Sequence, residues 1–147
     1  MPSTLDEIRA RLDALDASAF DLWNVDAAGT EKLWALMDQV PLLPDPRQAI
    51  PWLFRFLERL HTSELGEPGP VVHVLELIGG YDSELEASIR RQPTPLTVWM
   101  VNRMLNADPE PPDRDKLLGL LREAARHPKS SSDTIEDARD FLDYQAE

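Results

Sequence analysis

Apolar residues recur at helical spacing along almost the whole chain. Leu5, Ile8, Leu12 and Leu15 open the pattern, with Thr4 and Glu7 placed as a capping box. Leu33, Leu36, Met37 and Val40 repeat it after Gly29-Thr30. Pro41, Pro44 and Pro46 then break the chain, and Asp45-Pro46 is suited to start the next helix as N-cap and first helical residue. The apolar set of that helix is Ile50, Leu53, Phe54, Leu57 and Leu60. Pro51 within it means either a start near residue 50 or a kink there.

Gly66-Glu67-Pro68-Gly69-Pro70 reads as a turn. Val71, Val74, Leu75 and Ile78 follow as a short apolar helix stopped by Gly79-Gly80, although β-branched Val71, Val72 and Val74 would also suit a strand. Ser83 to Arg91 is a further short helix. Leu96 to Asn106 is apolar almost all round, the signature of a central, buried helix, and Trp99 belongs to that core set. Beyond the Asp108 to Pro112 linker, Leu117, Leu120, Leu121 and Ala124 mark another helix. Ser132-Asp133 caps the last, with Ile135, Ala138, Phe141 and Leu142 inward. No alternating strand of useful length appears. The pattern predicts an all-α single domain over 1–147 with seven or eight helices in antiparallel pairs. A short HEAT-like solenoid and an irregular helical bundle both satisfy it.

Composition sharpens this picture only through charge. The 147 residues carry 27 acids against 15 bases, net −12, which disfavours nucleic acid and anionic membranes as partners. The chain has no cysteine, hence no disulfide. No apolar run reaches the roughly 18 residues of a membrane span, and the N-terminal stretch from Met1 to Glu7 lacks the features of a signal peptide, so a cytoplasmic protein is expected. From Ser63 to Ile89 there is no Lys or Arg at all, while Glu64, Glu67, Glu76, Asp82, Glu84 and Glu86 all fall there. Such a run is either a solvated face or a landing site for a basic partner. In the last helix, Asp133, Glu136, Asp137, Asp140 and Asp143 form a stripe suited to its wet side.

Enzyme signatures are sparse. The sequence holds no glycine-rich phosphate loop, no Gly-x-Ser-x-Gly elbow and no His-Glu-x-x-His, and nothing in it calls for a metal or cofactor. His73 and Glu76 share a helical face, but a di-iron bundle needs two Glu-x-x-His pairs and two further Glu. Glu76 and Arg103 each interrupt an apolar helix and each needs a partner if buried. His73, Glu76, Arg103 and Asn106 are therefore expected to form a buried structural polar cluster. Acid–base catalysis by His73 and Glu76 is the competing enzymatic reading. Tyr81, between Gly80 and Asp82, is placed either as an interface anchor in the acidic field or as a ring closing a turn.

Three segments carry a resemblance: Glu64 to Glu76, Tyr81 to Ser88 and Arg91 to Asn106. They resemble the small acidic immunity proteins of bacterial polymorphic toxin systems, including contact-dependent inhibition and Rhs-type systems. The resemblance covers residues 48–106 and implies a non-enzymatic inhibitor that binds a cognate toxin domain. Gly66, Pro68, Gly69, Pro70, Pro93 and Thr94 would then be backbone-setting positions. An acidic inhibitor suits a toxin with a basic cleft, a nuclease among them, and the expected partner-binding residues are Glu64, Glu67, Tyr81, Asp82, Glu84 and Glu86. A helical adaptor or scaffold with no toxin partner is the alternative.

Overall fold

The computed structural model describes residues 3–24 and 27–146; Met1 and Pro2, at the head of the N-terminal stretch read above, lie outside them. Among the described residues every regular element is helical. The eight α-helices are α1 (Leu5–Asp13), α2 (Gly29–Gln39), α3 (Ile50–Arg59), α4 (Gly69–Ile78), α5 (Asp82–Arg91), α6 (Pro95–Asn106), α7 (Pro111–Arg126) and α8 (Ser132–Ala146). Single 3₁₀ turns occupy Ala17–Phe20, Val40–Leu42 and Pro46–Ala49. The chain divides into two compact units, Met1–Glu84 and Leu85–Glu147, with the boundary inside α5.

Local chemistry explains most helix ends. Thr4 Oγ1 accepts from the Glu7 amide at 3.2 Å, satisfying one orphan donor of α1. Asp45 makes no side-chain cap; Pro46 instead opens a 3₁₀ turn, and α3 starts afresh at Ile50 with Pro51 in its first turn, where no hydrogen bond is lost. Thr94 and Thr97 form a reciprocal, fully buried capping box ahead of α6. The start of α8 is capped by the Ser131 hydroxyl, which accepts from the Thr134 amide at 3.2 Å, one residue earlier than the sequence pattern placed it. The β-branched run at Val71 to Val74 is helical because α4 buries Val71, Val72, Val74 and Leu75, and packing outweighs a weak local propensity. Gly66 has φ +109°, and a Cβ there would collide with the Cα of Gly69, so this turn admits no side chain at that position.

In the first unit α1 packs on α2 and α3, and α4 packs on α2 and α3. Leu12, Leu33, Met37, Leu53, Phe54, Leu57 and Leu75 are its fully buried large side chains. Two arginines tie its elements together. Arg59 Nη2 donates to the Leu12 carbonyl at 3.2 Å, and the Arg9 guanidinium lies 4.5 Å from the centre of the Trp52 ring.

In the second unit α6, α7 and α8 each pack on the other two. Hydrogen bonds fix their directions. Gln92, just before α6, donates to the Lys129 carbonyl in the α7–α8 turn at 2.8 Å. At the opposite end Gln145 Nε2 donates to Asn102 and Asn106 of α6, at 2.8 and 2.9 Å, while Arg114 near the start of α7 donates to the Gln145 carbonyl at 3.1 Å. Thus α6 and α8 run parallel and α7 runs against both, an up-down-up bundle around Val98, Val101, Leu105, Leu121, Ala124 and Ala138. Trp99, expected in the core, is only half-buried, because its face of α6 carries Arg103, whose guanidinium lies 5.4 Å from the ring centre.

Candidate partner-binding surface

The apolar stripe of α2 is Leu33, Leu36 and Met37, all buried. Trp34 falls outside that stripe and is 42 % exposed. On α4 the stripe is Val71, Val74 and Leu75, and here His73 and Leu77 fall outside it, exposed one helical turn apart. Because α2 packs on α4, the two sets meet: the Trp34 and His73 rings are 6.1 Å apart at 51°. The far end of α4 reaches the turns that follow α2, since the Val40–Leu42 turn packs on α4 and the Arg47 side chain lies 3.8 Å from where a Cβ on Gly80 would sit. Leu42, in the turn that follows α2, and Leu77, one helical turn beyond His73 on α4, are 69 % and 63 % exposed. Glu31 and Asp38, three before and four after Trp34 on α2, are exposed beside it.

A second apolar projection lies in the same unit. Phe20 turns inward onto Phe56, with ring centres 6.3 Å apart. The next residues turn outward: the Asp21 carboxylate accepts from the Trp23 amide at 3.0 Å, an Asx turn that leaves Trp23 94 % exposed with Leu22 beside it. Asp16, at the start of the preceding turn, has its carboxyl held below its ordinary range by hydrogen bonds from the Ser18 hydroxyl and from backbone amides, so it remains a firm negative charge near this projection. The first unit has fifteen acids against six bases, net −9, whereas the second has twelve against nine, net −3. Among the described residues, five of the six large exposed apolar side chains, all but Tyr144, are in the more acidic unit.

The six residues expected to form one acidic rim do not gather. Glu64 and Glu67 are exposed in the loop that enters α4, whereas Tyr81 and Asp82 follow its exit. The ten residues of α4 place roughly 15 Å between those ends. Tyr81 is half-buried, its ring centre 6.4 Å from that of Phe54, so it closes the turn rather than projecting. Asp82 is exposed and Glu84 half-buried in the first turn of α5. Glu86, in the second unit, is committed internally: Lys116 Nζ lies 2.7 Å and Arg90 Nη1 2.8 Å from its two oxygens. The lysine hydrogen bond, with both positive charges, holds its carboxyl below its ordinary range against the opposing effect of partial burial.

The residues of the expected polar cluster are not buried. A buried set requires burial, yet His73, Arg103 and Asn106 are exposed and Glu76 is half-buried. His73 faces Trp34, Arg103 lies over Trp99, and Asn106 accepts from Gln145. Among the described residues no three His, Asp or Glu side chains come together as a metal site.

The residues that make the observed surface were not singled out by charge. Their signal in sequence is an apolar side chain off the buried stripe of its own helix: Trp34 beside Leu33, and Leu77 between Leu75 and Ile78. No family model, curated protein or solved structure matches this chain.

Proposed function

We propose that this chain is an immunity-type inhibitor that binds a basic toxin domain through its first unit. One observation carries the reading: large apolar side chains stand exposed on a unit of net charge −9, the Trp34–Leu77 face foremost among them. Acids such as Glu31 and Asp38 raise the encounter rate with a positively charged partner and disfavour acidic ones. Trp34, Leu42 and Leu77 supply what charge alone does not, apolar area that leaves water on contact and holds the complex. A basic nuclease cleft is one surface of the required chemistry. The inhibitor contributes no reacting group; it occludes.

The test is co-expression with the toxin domain encoded beside this chain's gene, scored for growth. Wild-type chain rescues growth, and the Trp34→Ala, Leu77→Asp double variant does not, while both accumulate as folded protein. Failure of the wild-type chain to rescue removes the toxin reading and favours a helical adaptor.

A further inference from the structure

The second unit carries a feature that runs against the charge of the molecule. An open groove of about 420 Å³ lies between the last turn of α5 and the last turns of α7, lined by Arg90, Glu123, Arg126 and His127. We propose that this groove is a binding site for a phosphate-type oxyanion, inorganic phosphate or a phosphate monoester.

The argument rests on which nitrogens are committed. His127 is fully used: Nδ1 accepts from the Lys129 amide at 3.0 Å, so Nε2 carries the proton and donates to the Arg90 carbonyl at 2.7 Å. This neutral ring is a brace that ties the end of α5 to the α7–α8 turn. Arg90 spends Nη1 on Glu86 and Nε on Glu123, the latter at 3.6 Å, leaving Nη2. Glu123, the one carboxylate in the lining, is thereby partly neutralised. Arg126 lays its arm along its own helix, with Nε donating to the Arg122 carbonyl at 3.3 Å. That bond orients the guanidinium and leaves both terminal nitrogens for a bidentate contact.

Arg126, Arg122 and Lys129 make no ion pair among the described residues, in a unit with twelve acids. Arg122 and Arg126 stand four apart on α7, a like-charge spacing that disfavours the helix. The carbonyl end of α7 offsets this in part. An oxyanion held by Arg126 Nη1 and Nη2 together with Arg90 Nη2, the two guanidiniums that line the groove, offsets it further. A phosphate dianion suits this set better than a carboxylate, because two guanidiniums, one from α5 and one from α7, line the same groove.

The experiment is titration of the full chain at low ionic strength with inorganic phosphate, with phenyl phosphate, and with sodium chloride at matched ionic strength, read by amide chemical shifts. Saturable shifts at Arg126 to Lys129 with either phosphate and not with chloride are expected. Phenyl phosphate binding more tightly identifies a monoester as ligand; equal binding identifies free phosphate. Arg126→Ala weakens binding about tenfold or more, the loss of a charge-assisted pair. Arg139→Ala, an exposed base on α8, leaves it unchanged. No saturation, a chloride response equal to that of phosphate, or an unaffected Arg126→Ala variant overturns the proposal. None of these outcomes bears on toxin inhibition.

Discussion

The two units use charge in opposite ways. In the first, Arg9–Asp13 at 3.8 Å and Arg55–Glu58 at 3.6 Å are long ion pairs, each within a single helix. In the second, Glu86 bridges α5 to α7 through Lys116 at 2.7 Å, and Arg90 carries the chain on to Glu123. Apolar exposure follows the same division: among the described residues, Tyr144 is the one large exposed apolar side chain on the second unit. A surface with fifteen acids against six bases and its large apolar side chains outward is suited to another molecule. A surface whose charges are spent across helices is suited to holding itself together. Charge count alone would have treated both as wet.

The largest expected effect concerns the base on which the first unit presents its surface. Phe54 is fully buried and carries the Tyr81 ring. Phe54→Ala should cost about 3–5 kcal/mol, cavity included, and lower the melting temperature accordingly. A change under about 1 kcal/mol would mean that the turn at Tyr81 is not held by the core, and would reopen Tyr81 as a free anchor.

The next effect separates presentation from stability. Trp34→Ala and Leu77→Asp should each weaken partner binding by about 2 kcal/mol or more, the hot-spot scale, while melting moves less than for Phe54→Ala, because Leu77 is 63 % and Trp34 42 % exposed. Association with a basic partner should also slow as salt rises, since the exposed acids are screened. Equal loss on substituting Glu64 and Glu67 instead would move the interface to the other end of α4 and break the comparison as drawn.

Helix content was legible because period and punctuation agree in most segments. The sets at Leu33 to Val40 and at Leu117 to Ala124 were read as helices and are helices. The surface was less legible, for a physical reason. Acidic residues were grouped by sequence distance, but a helix of ten residues carries its two ends apart, so Glu64 and Asp82 flank α4 rather than share a side. Burial of Glu76 and Arg103 was inferred from their apolar neighbours, yet a long side chain on an apolar helix can lean outward, as Arg103 does over Trp99. Trp34 and Leu77 were visible as off-stripe residues, and only contact between α2 and α4 makes them one face.

A smaller effect tests the second unit. Glu86→Gln should cost about 1 kcal/mol at neutral pH, since it removes the charge shared by Lys116 and Arg90. The sign of its pH dependence is fixed by the lowered carboxyl pKa. A group ionised more readily when folded contributes stability above its unfolded pKa and loses it as pH falls through the folded one. Wild type and variant should therefore differ at pH 7 and converge in acid below the ordinary carboxylate range, as urea midpoints would show. Curves that stay parallel into acid would place the stability elsewhere than in this bridge.

The smallest effect is the counterpart in the first unit. Asp13 pairs with Arg9 within α1 at 3.8 Å, both side chains more than half exposed. Asp13→Asn should shift stability by no more than a few tenths of a kcal/mol, because an exposed pair four residues apart gains little over its hydration. Arg9 keeps its place over Trp52 without it. Set beside Glu86→Gln, this near-silence is the informative result: the same loss of one carboxylate charge weakens the second unit and leaves the first intact. If Asp13→Asn instead destabilises as much as Glu86→Gln, the acids of the first unit are structural after all, and its negative charge is no longer available to explain recognition.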